Sequence, residues 1–359
     1  MRLSTLKGVT ILKHYIKSNS PAHAQWFLTR RCNYRCKGCE VWLEKDYSGE
    51  LSTEEIKIGL DNLRKLGVLE IVFSGGNPLL REDIGEILEY SSRYFITTIY
   101  DNGSIAAEKV DALKYADFVA ISLDTLDEKK NDYLKGVAGS WRKAMNSIET
   151  LKNAGINVCV SPTISHFNVD EIIDFTKYFT ERKIPVWYCL YWYDYAFEGR
   201  LFGIGTKNDE YEIVEKERLV RVIDEIRELK KERKGIFITD KTLEAVRELY
   251  ANDRRTWNCK ALQNFLVIDH LGRVAGCHCR EPVTTIFELP EVWKSPELDR
   301  KREEYSKCTK CAYLCYIFYS VHTNTVGEMS ILRDQWANIK FLLEKENTAE
   351  KLTGIKTSQ

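Results

Sequence analysis

Residues 25–39 read QWFLTRRCNYRCKGC, an apolar run followed at once by three cysteines. The run at 25–29 is short, apolar and bounded by polar residues, so it predicts a buried β-strand. Cys32, Cys36 and Cys39 follow with the spacing C-x3-C-x2-C. Three thiolates on one short loop can hold three irons of a cubane cluster and leave the fourth iron open. A zinc loop or three free cysteines is the alternative.

Further along the chain, short apolar runs alternate with amphipathic stretches. The runs lie at 69–73, 96–100, 118–123, 158–163 and 186–191, and the helical patterns at 53–66, 81–93, 105–115, 127–153, 168–182 and 209–233. One helix between successive runs is typical of parallel βα units, and apolar runs fit strands covered on both faces. Six units are fewer than a closed (β/α)8 barrel contains. We therefore expect an α/β fold built on a partial (β/α)6 barrel of parallel strands.

The C-terminal part has a different composition and holds most of the remaining cysteines. They are Cys259, Cys277, Cys279, Cys308, Cys311 and Cys315. Apolar stretches at 264–269 and 273–276 flank Gly272 and predict a hairpin. This spacing indicates a small cysteine-rich, metal-binding domain, and a zinc site with two distant cysteine pairs is the alternative.

These patterns predict four regions. They are an N-terminal amphipathic helix at 1–22, the partial barrel at 23–235, the cysteine-rich domain with a closing helix at 236–346, and a tail at 347–359. The N-terminal stretch is basic and has a broad apolar stripe. Such a helix either contacts a membrane surface peripherally or docks on its own domain.

Charge and cysteine usage exclude several classes of protein. The chain has 359 residues with 53 Lys+Arg and 53 Asp+Glu, so its formal net charge is zero. It therefore lacks the basic surface of a general nucleic-acid binder. Eleven cysteines, an odd number, without a secretion signal do not suggest a disulfide scaffold, and we expect a cytoplasmic protein. No run approaches the roughly 18 apolar residues of a membrane span.

The cysteine loop and the turns after strands two to four resemble those of the radical S-adenosylmethionine (SAM) superfamily. Gly75-Gly76-Asn77-Pro78 stands where the family has Gly-Gly-Glu-Pro, and Ser122-Leu123-Asp124 matches its Ser-Leu-Asp. The resemblance implies that the catalytic residues Cys32, Cys36 and Cys39 bind a [4Fe-4S] cluster whose open iron holds SAM, giving a 5′-deoxyadenosyl radical. It also implies a set of SAM-binding residues: Gly75, Gly76, Asn77, Pro78, Asn102, Ser122, Asp124 and Lys135.

The second cysteine group resembles the auxiliary-cluster domains, called SPASM or twitch, of many radical SAM enzymes. The resemblance implies an auxiliary [4Fe-4S] cluster, and six cysteines are too few for two complete cubanes, which need about eight. We expect one auxiliary cluster on Cys259, Cys277, Cys308 and Cys311, with Cys315 and Cys279 as alternates.

The resemblance also implies a reaction class and its partners. We expect hydrogen abstraction from a small-molecule or lipid-precursor substrate, with flavodoxin or ferredoxin as low-potential electron donor. The alternatives are a maturase that crosslinks or epimerises a ribosomal peptide, and a non-catalytic metal-binding module. The aromatic stretch 186–202 predicts a substrate pocket wall formed by Tyr191, Tyr193, Asp194, Glu198 and Arg200.

Overall fold

The computed structural model describes residues 20–192, 199–204, 210–309, 311–323, 330, 331, 333–335 and 338. Residues 1–19 of the predicted N-terminal helix and the tail lie outside these residues, as does most of the closing helix, and residues 20–22 are not helical. The strands are β1 (His23–Thr29), β2 (Glu70–Gly75), β3 (Ile96–Asp101), β4 (Phe118–Ile121), β5 (Val158–Val160), β6 (Thr163–Ile164), β7 (Cys189–Leu190), β8 (Phe265–Ile268), β9 (Arg273–Ala275) and β10 (Thr284–Thr285).

Helices connect the strands and cover the sheet. They are α1 (Thr53–Leu66), α2 (Ile84–Ser92), α3 (Val110–Leu113), α4 (Glu128–Lys135), α5 (Ser140–Asn153), α6 (Ile172–Glu181), α7 (Lys216–Glu232), α8 (Asp240–Asn252), α9 (Leu289–Val292), α10 (Pro296–Ser306) and α11 (Leu314–Val321). Short 3-10 turns lie at Val41–Leu43, Pro78–Leu80, Ala106–Glu108 and Val169–Glu171. In the part of the chain given above, none of these helices combines the length and apolar character that crossing a membrane requires.

The main sheet has the strand order β10-β9-β8-β1-β2-β3-β4-β5. Strands β1 to β5 pair in parallel, and the parallel pairing continues from Val160 to Val186 and from Val186 to Ile236. The prediction of an α/β fold with a partial barrel of parallel strands is confirmed. The sixth predicted strand is shorter than expected, because β7 leaves the main sheet and pairs with β6 instead.

The C-terminal hairpin joins the same sheet. Strands β8 and β9 pair antiparallel around the predicted turn, and β8 also pairs in parallel with β1 through Ala24 and Leu266. The strand that leads into the first cysteine loop is therefore a direct neighbour of the cysteine-rich segment.

Local signals explain the helix boundaries. Helix α1 begins with the capping box of Ser52 and Glu55 and ends at Gly67, whose φ is +89°. The single helix expected at 127–153 is instead two helices, α4 and α5. The chain turns between them because Gly136 and Gly139 adopt left-handed conformations, with φ of +66° and +77°.

Candidate active site

The first cysteine loop begins directly after β1, at the carboxyl edge of the parallel strands. Its backbone is tied to the end of α4: Arg35 N donates to Lys135 O at 3.1 Å, and Lys37 N donates to Leu134 O at 3.0 Å. A Cβ at Gly136 would lie 2.2 Å from Arg35 O, so only glycine permits this close approach. Contacts with α4 therefore hold the loop in its conformation.

The three thiols of this loop influence one another. Burial raises the pKa of Cys36 to about 11, with the neighbouring Cys32 adding to the shift. Burial likewise raises the pKa of Cys39 and of Cys32. Among the described residues, no three His, Cys, Asp or Glu side chains lie close enough together to hold a single metal ion. The thiolates of a cubane bind different irons, so three cysteines on one loop provide the donor set of a [4Fe-4S] cluster with one open iron.

The predicted glycine turn after β2 packs against the start of the loop. Gly75 has a φ of +132°, and a Cβ there would lie 2.4 Å from Thr29 O. A Cβ at Gly76 would lie 2.2 Å from Arg31 O, which also accepts a 2.7 Å hydrogen bond from Asn77 N. The two glycines therefore bring the turn, which continues into Pro78, against the cysteine loop.

Asn77 is fully buried and ties three loops together. Its Nδ2 lies 3.3 Å from Asn33 Oδ1, 3.1 Å from Asn102 Oδ1 and 3.1 Å from Ser104 Oγ. Its Oδ1 accepts from Leu79 N at 2.9 Å. Both ends of this amide are thus engaged within the protein. The sequence interpretation missed Asn33 and Ser104. The only available signals were that Asn33 lies in the cysteine loop and that Ser104 directly follows Asn102-Gly103.

A buried ion pair follows β4. Lys135 Nζ lies 2.8 Å from Asp124 Oδ2, and Asp124 Oδ1 accepts from Thr163 N at 3.0 Å. Burial lowers the pKa of Lys135, but Asp124 and the Cys36 thiol outweigh this effect, and the pKa is raised. Lys135 therefore carries its charge between a carboxylate and the thiols. Ser122, which donates from its backbone N–H to the strand β3, lies at the same edge.

Asp101 is a second buried carboxyl at this edge and was not predicted. Burial raises its pKa to about 7, although Gly103 N donates to its Oδ1 at 2.6 Å. Its Oδ2 is buried without a hydrogen-bond partner. Asp101 also acts on Cys32, whose pKa it helps to raise. An acidic residue directly before Asn102 was the available sequence signal.

The predicted substrate residues separate into two groups. Tyr193, Asp194 and Glu198 lie outside the described residues. Tyr191 and Arg200 both reach the cysteine loop, the latter through an ion pair with Glu40, the residue after Cys39.

Tyr191 packs beside a glycine of the cysteine loop. Its ring lies 5.0 Å from the ring of Tyr211, and a Cβ at Gly38 would lie 3.2 Å from Tyr191 and 3.1 Å from Tyr211. Two aromatic rings from elsewhere in the chain therefore fill the space beside the third cysteine.

The C-terminal cysteines form a second group. Burial raises the pKa of Cys259 to about 11, and Cys277 and Cys308 add to the shift. Burial also raises the pKa of Cys311 to about 12, with Cys259, Cys277 and Cys308 adding to it. Cys279 lies against Cys277 and raises its pKa. Four thiols collected from distant parts of the chain therefore share one buried region.

Two arginines accompany this second group. Arg280 Nη2 donates to Cys308 Sγ at 3.8 Å, and Arg255 Nη1 donates to Cys311 O at 3.3 Å. Arg280 also lines a cavity of about 410 Å³. The donor set of four thiols and the two adjacent cations fit a buried cluster of negative charge.

Cys315 is the last of the C-terminal cysteines and lies in α11. It is exposed in a helix whose other side chains are mostly buried, yet the surrounding protein raises the pKa of its thiol. Cys189 contributes most to that shift after burial, and Tyr100 responds to both thiols. Cys311 also raises this pKa, so Cys315 lies near both Cys189 and a member of the second group.

Comparison with known proteins identifies the core. The sequence model of the "Radical SAM superfamily" matches residues 26–179, from β1 to α6. The chain carries a radical SAM domain. It is a radical SAM enzyme, and domains of this family bind a [4Fe-4S] cluster and SAM.

Relatives and solved structures extend the match beyond this domain. The AdoMet-dependent heme synthase of Oleidesulfovibrio alaskensis is 26% identical over 336 residues, covering 85% of this chain and 84% of that protein. The Bacillus subtilis protein AlbA, named for antilisterial bacteriocin subtilosin biosynthesis, is 27% identical, covering 82% and 66%.

The crystal structure of Streptococcus suis SuiB bound to S-adenosylmethionine has a TM-score of 0.63 at 20% identity, covering 82% of this chain and 71% of that one. At this identity the likeness concerns the fold alone.

Proposed function

We propose that this radical SAM enzyme uses the loop of Cys32, Cys36 and Cys39 to hold its SAM-binding [4Fe-4S] cluster and abstracts hydrogen from a small-molecule or lipid-precursor substrate. The observation that carries the proposal is the placement of three mutually influencing thiols at the carboxyl edge of the parallel strands. When bound, the cluster and SAM supply the 5′-deoxyadenosyl radical. The protein's task is to bind, orient and exclude water.

The residues around the loop have distinct roles in this proposal. Gly75 and Gly76 lie on the methionine side of the SAM site in this proposal, because only glycine lets this turn pack so closely against the cysteine loop. Asn77 acts through the loops it joins, because both ends of its amide are already engaged. Asn102, Ser122 and Asp124 lie at the ends of β3 and β4 and complete the SAM site with Pro78 and Lys135. Lys135 neutralises part of the thiolate charge.

We further propose one auxiliary [4Fe-4S] cluster within the segment 236–346. Cys259, Cys277, Cys308 and Cys311 are its ligands in this proposal, because their thiols share one buried region with Arg255 and Arg280. Cys315 and Cys279 are the alternate ligands in this proposal, since Cys315 lies near Cys311 and Cys279 lies against Cys277. The auxiliary cluster accepts an electron from the substrate radical or anchors the substrate.

The heme synthase relative favours a small molecule, and a tetrapyrrole in particular, because it matches the chain nearly from end to end. An electron carrier such as flavodoxin or ferredoxin supplies the low-potential electron. Tyr191 and Arg200, both against the cysteine loop, belong to the substrate side in this proposal.

Iron and sulfide per chain, measured after anaerobic reconstitution, test the proposal together with EPR of the reduced protein. We expect about eight irons, two cubanes, and one EPR signal that SAM perturbs. About four irons with zinc alongside would overturn the auxiliary cluster only. A signal indifferent to SAM would overturn the radical site.

A second candidate function is a peptide maturase. AlbA, named for bacteriocin biosynthesis, covers 82% of this chain. Incubation with SAM, reductant and either a candidate precursor peptide or a tetrapyrrole, followed by mass spectrometry, separates the two candidates. A mass change in the peptide alone would establish the maturase.

A further inference from the structure

Four arginines surround the carboxyl ends of β1 and β8, and we call them the arginine rim: Arg30, Arg31, Arg200 and Arg273. Three of them have a carboxylate partner. Arg31 lies 3.2 Å from Glu50, Arg273 lies 2.6 Å from Asp269, and Arg200 pairs with Glu40. The fourth, Arg30, has none among the described residues.

Arg30 is only partly exposed. Its guanidinium carbon lies 4.5 Å from the centre of the Phe202 ring, which also stacks on Phe27 with the ring centres 4.3 Å apart. Burial lowers the pKa of Arg30, and the nearby charges of Arg273 and Arg200 lower it further. Glu44 and Asp269 raise it and offset part of this effect. Stacking orients the guanidinium plane, while its N–H groups stay without a protein acceptor in the described chain.

His270 supplies a second unpartnered polar group at the same place. It is 5% exposed, and its Nδ1 is buried without a hydrogen-bond partner. The nearest carboxylate oxygen, Asp269 Oδ2, is 4.0 Å away, beyond hydrogen-bonding distance. The centre of the His270 ring lies 6.0 Å from that of the Phe202 ring, against which Arg30 stacks. The charge of Arg30 also acts on His270. Polar atoms buried without a partner are costly unless a ligand or water satisfies them.

The location connects this site with the chemistry. Arg30 stands two residues before Cys32, at the edge of the sheet where the radical is generated. A planar guanidinium with free N–H groups is the preferred partner of a carboxylate, which it binds through two parallel hydrogen bonds.

We propose that Arg30, with His270 beside it, binds a carboxylate group of the substrate. This inference rests on the proposed function and narrows its substrate class to carboxylate-bearing molecules. The paired arginines of the rim keep their own acids, whereas Arg30 has no carboxylate within ion-pair distance among the described residues and is the guanidinium left to bind one.

Binding of coproporphyrin III to the full-length, reconstituted chain tests the inference. This porphyrin carries four carboxylates, and its tetramethyl ester carries none, so the two probes differ only in the group of interest. Both are titrated in the same dilute detergent by protein and porphyrin fluorescence. We expect the acid to bind at least ~10-fold more tightly than the ester, as a charge-assisted pair allows.

The variants are Arg30→Gln, Arg30→Lys and the matched control Arg31→Gln. Arg30→Gln should raise the Kd of the acid about 10-fold and leave that of the ester unchanged, while Arg30→Lys restores part of the loss. Arg31→Gln should change the Kd of the acid less than ~2-fold, because Glu50 already occupies that guanidinium. Equal affinity for acid and ester, or an acid affinity indifferent to Arg30→Gln, would overturn the inference.

Formation of 5′-deoxyadenosine by the native chain, measured without porphyrin in the same preparations, tests the proposed function separately. If the chain formed no 5′-deoxyadenosine, the proposed function would be overturned. The inference about Arg30 would then still be decided by the Kd values of the acid and the ester.

Discussion

The two cysteine groups of this enzyme are organised in opposite ways. The first consists of Cys32, Cys36 and Cys39, all on one loop, and its neighbours hold the loop by backbone contacts and buried amides. The second is collected from Cys259 to Cys311, and the pairing of β8 with β1 places it beside the same sheet. The three cysteines of the first group are close together in the sequence, and the fold only positions their loop. The cysteines of the second group come together only when the chain is folded. The two groups should therefore respond differently to substitution.

The largest difference is expected when one thiol is removed from each group. Cys36→Ser should abolish formation of 5′-deoxyadenosine, because a cubane with an open iron depends on all three thiolates. Cys277→Ser should retain this cleavage while losing product. Chromatographic quantification of 5′-deoxyadenosine checks both.

Cys159→Ser is the control, since Cys159 is buried in β5 and donates to Val119 O outside both groups. It should retain both cleavage and product. If Cys36→Ser and Cys277→Ser lost cleavage equally, the two groups would not have the separate roles proposed for them.

A smaller effect is expected from Gly136→Ala, which tests how the first loop is held. Gly136 has a φ of +66°, and a Cβ would lie 2.2 Å from Arg35 O. We expect a loss of about 3 kcal/mol in the free energy of unfolding, from backbone strain and the clash together.

Gly155→Ala is the matched control, because Gly155 has a φ of +75° but nothing within 4 Å of the added Cβ. It should cost only the left-handed strain, about 1–2 kcal/mol. Denaturant unfolding measures both variants, and equal losses would show that α4 does not constrain the cysteine loop.

Asn77→Asp should cost about 1–3 kcal/mol, because it removes the donor shared by Asn33, Asn102 and Ser104 and leaves acceptors facing one another. The EPR response of the radical cluster to SAM should weaken, while the auxiliary signal stays unchanged. Asn153→Asp, at the exposed end of α5, serves as the control for an added acid. An auxiliary signal altered as much as the radical one would contradict the local role of this network.

The smallest effect concerns the second group. Arg280→Gln removes a cation that donates to Cys308 Sγ, so the more negative, reduced cluster loses stabilisation. We expect the midpoint potential of the auxiliary cluster to fall by about 60 mV, the one-electron equivalent of roughly 1.4 kcal/mol.

Potentiometric EPR titration measures this shift. The control is Lys301→Gln, because Lys301 lines the same cavity but pairs with Glu304. A potential that is unchanged in Arg280→Gln, or shifted equally in both variants, would show that Arg280 does not act on the cluster.

Much of the core could be predicted from the sequence, because its signals are local. The alternation of apolar runs and amphipathic helices predicts parallel strands, and the helix at 53–66 and the hairpin around Gly272 are confirmed where expected. The three-cysteine spacing and the glycine turn identify the family, which the comparison confirms. One error arose where the helical periodicity hid a local break, because Gly136 and Gly139 adopt left-handed conformations that divide the helix expected at 127–153.

By itself the sequence determined the radical SAM core, since residues a few positions apart share a strand, a turn or a loop whatever surrounds them. Only the tertiary structure decided which distant side chains meet. It places β8 beside β1, joins Asn33 to Asn77, and brings Cys315 near both Cys189 and Cys311. The reason is that strand register and helix orientation are set by the burial of the whole core, which no local spacing encodes.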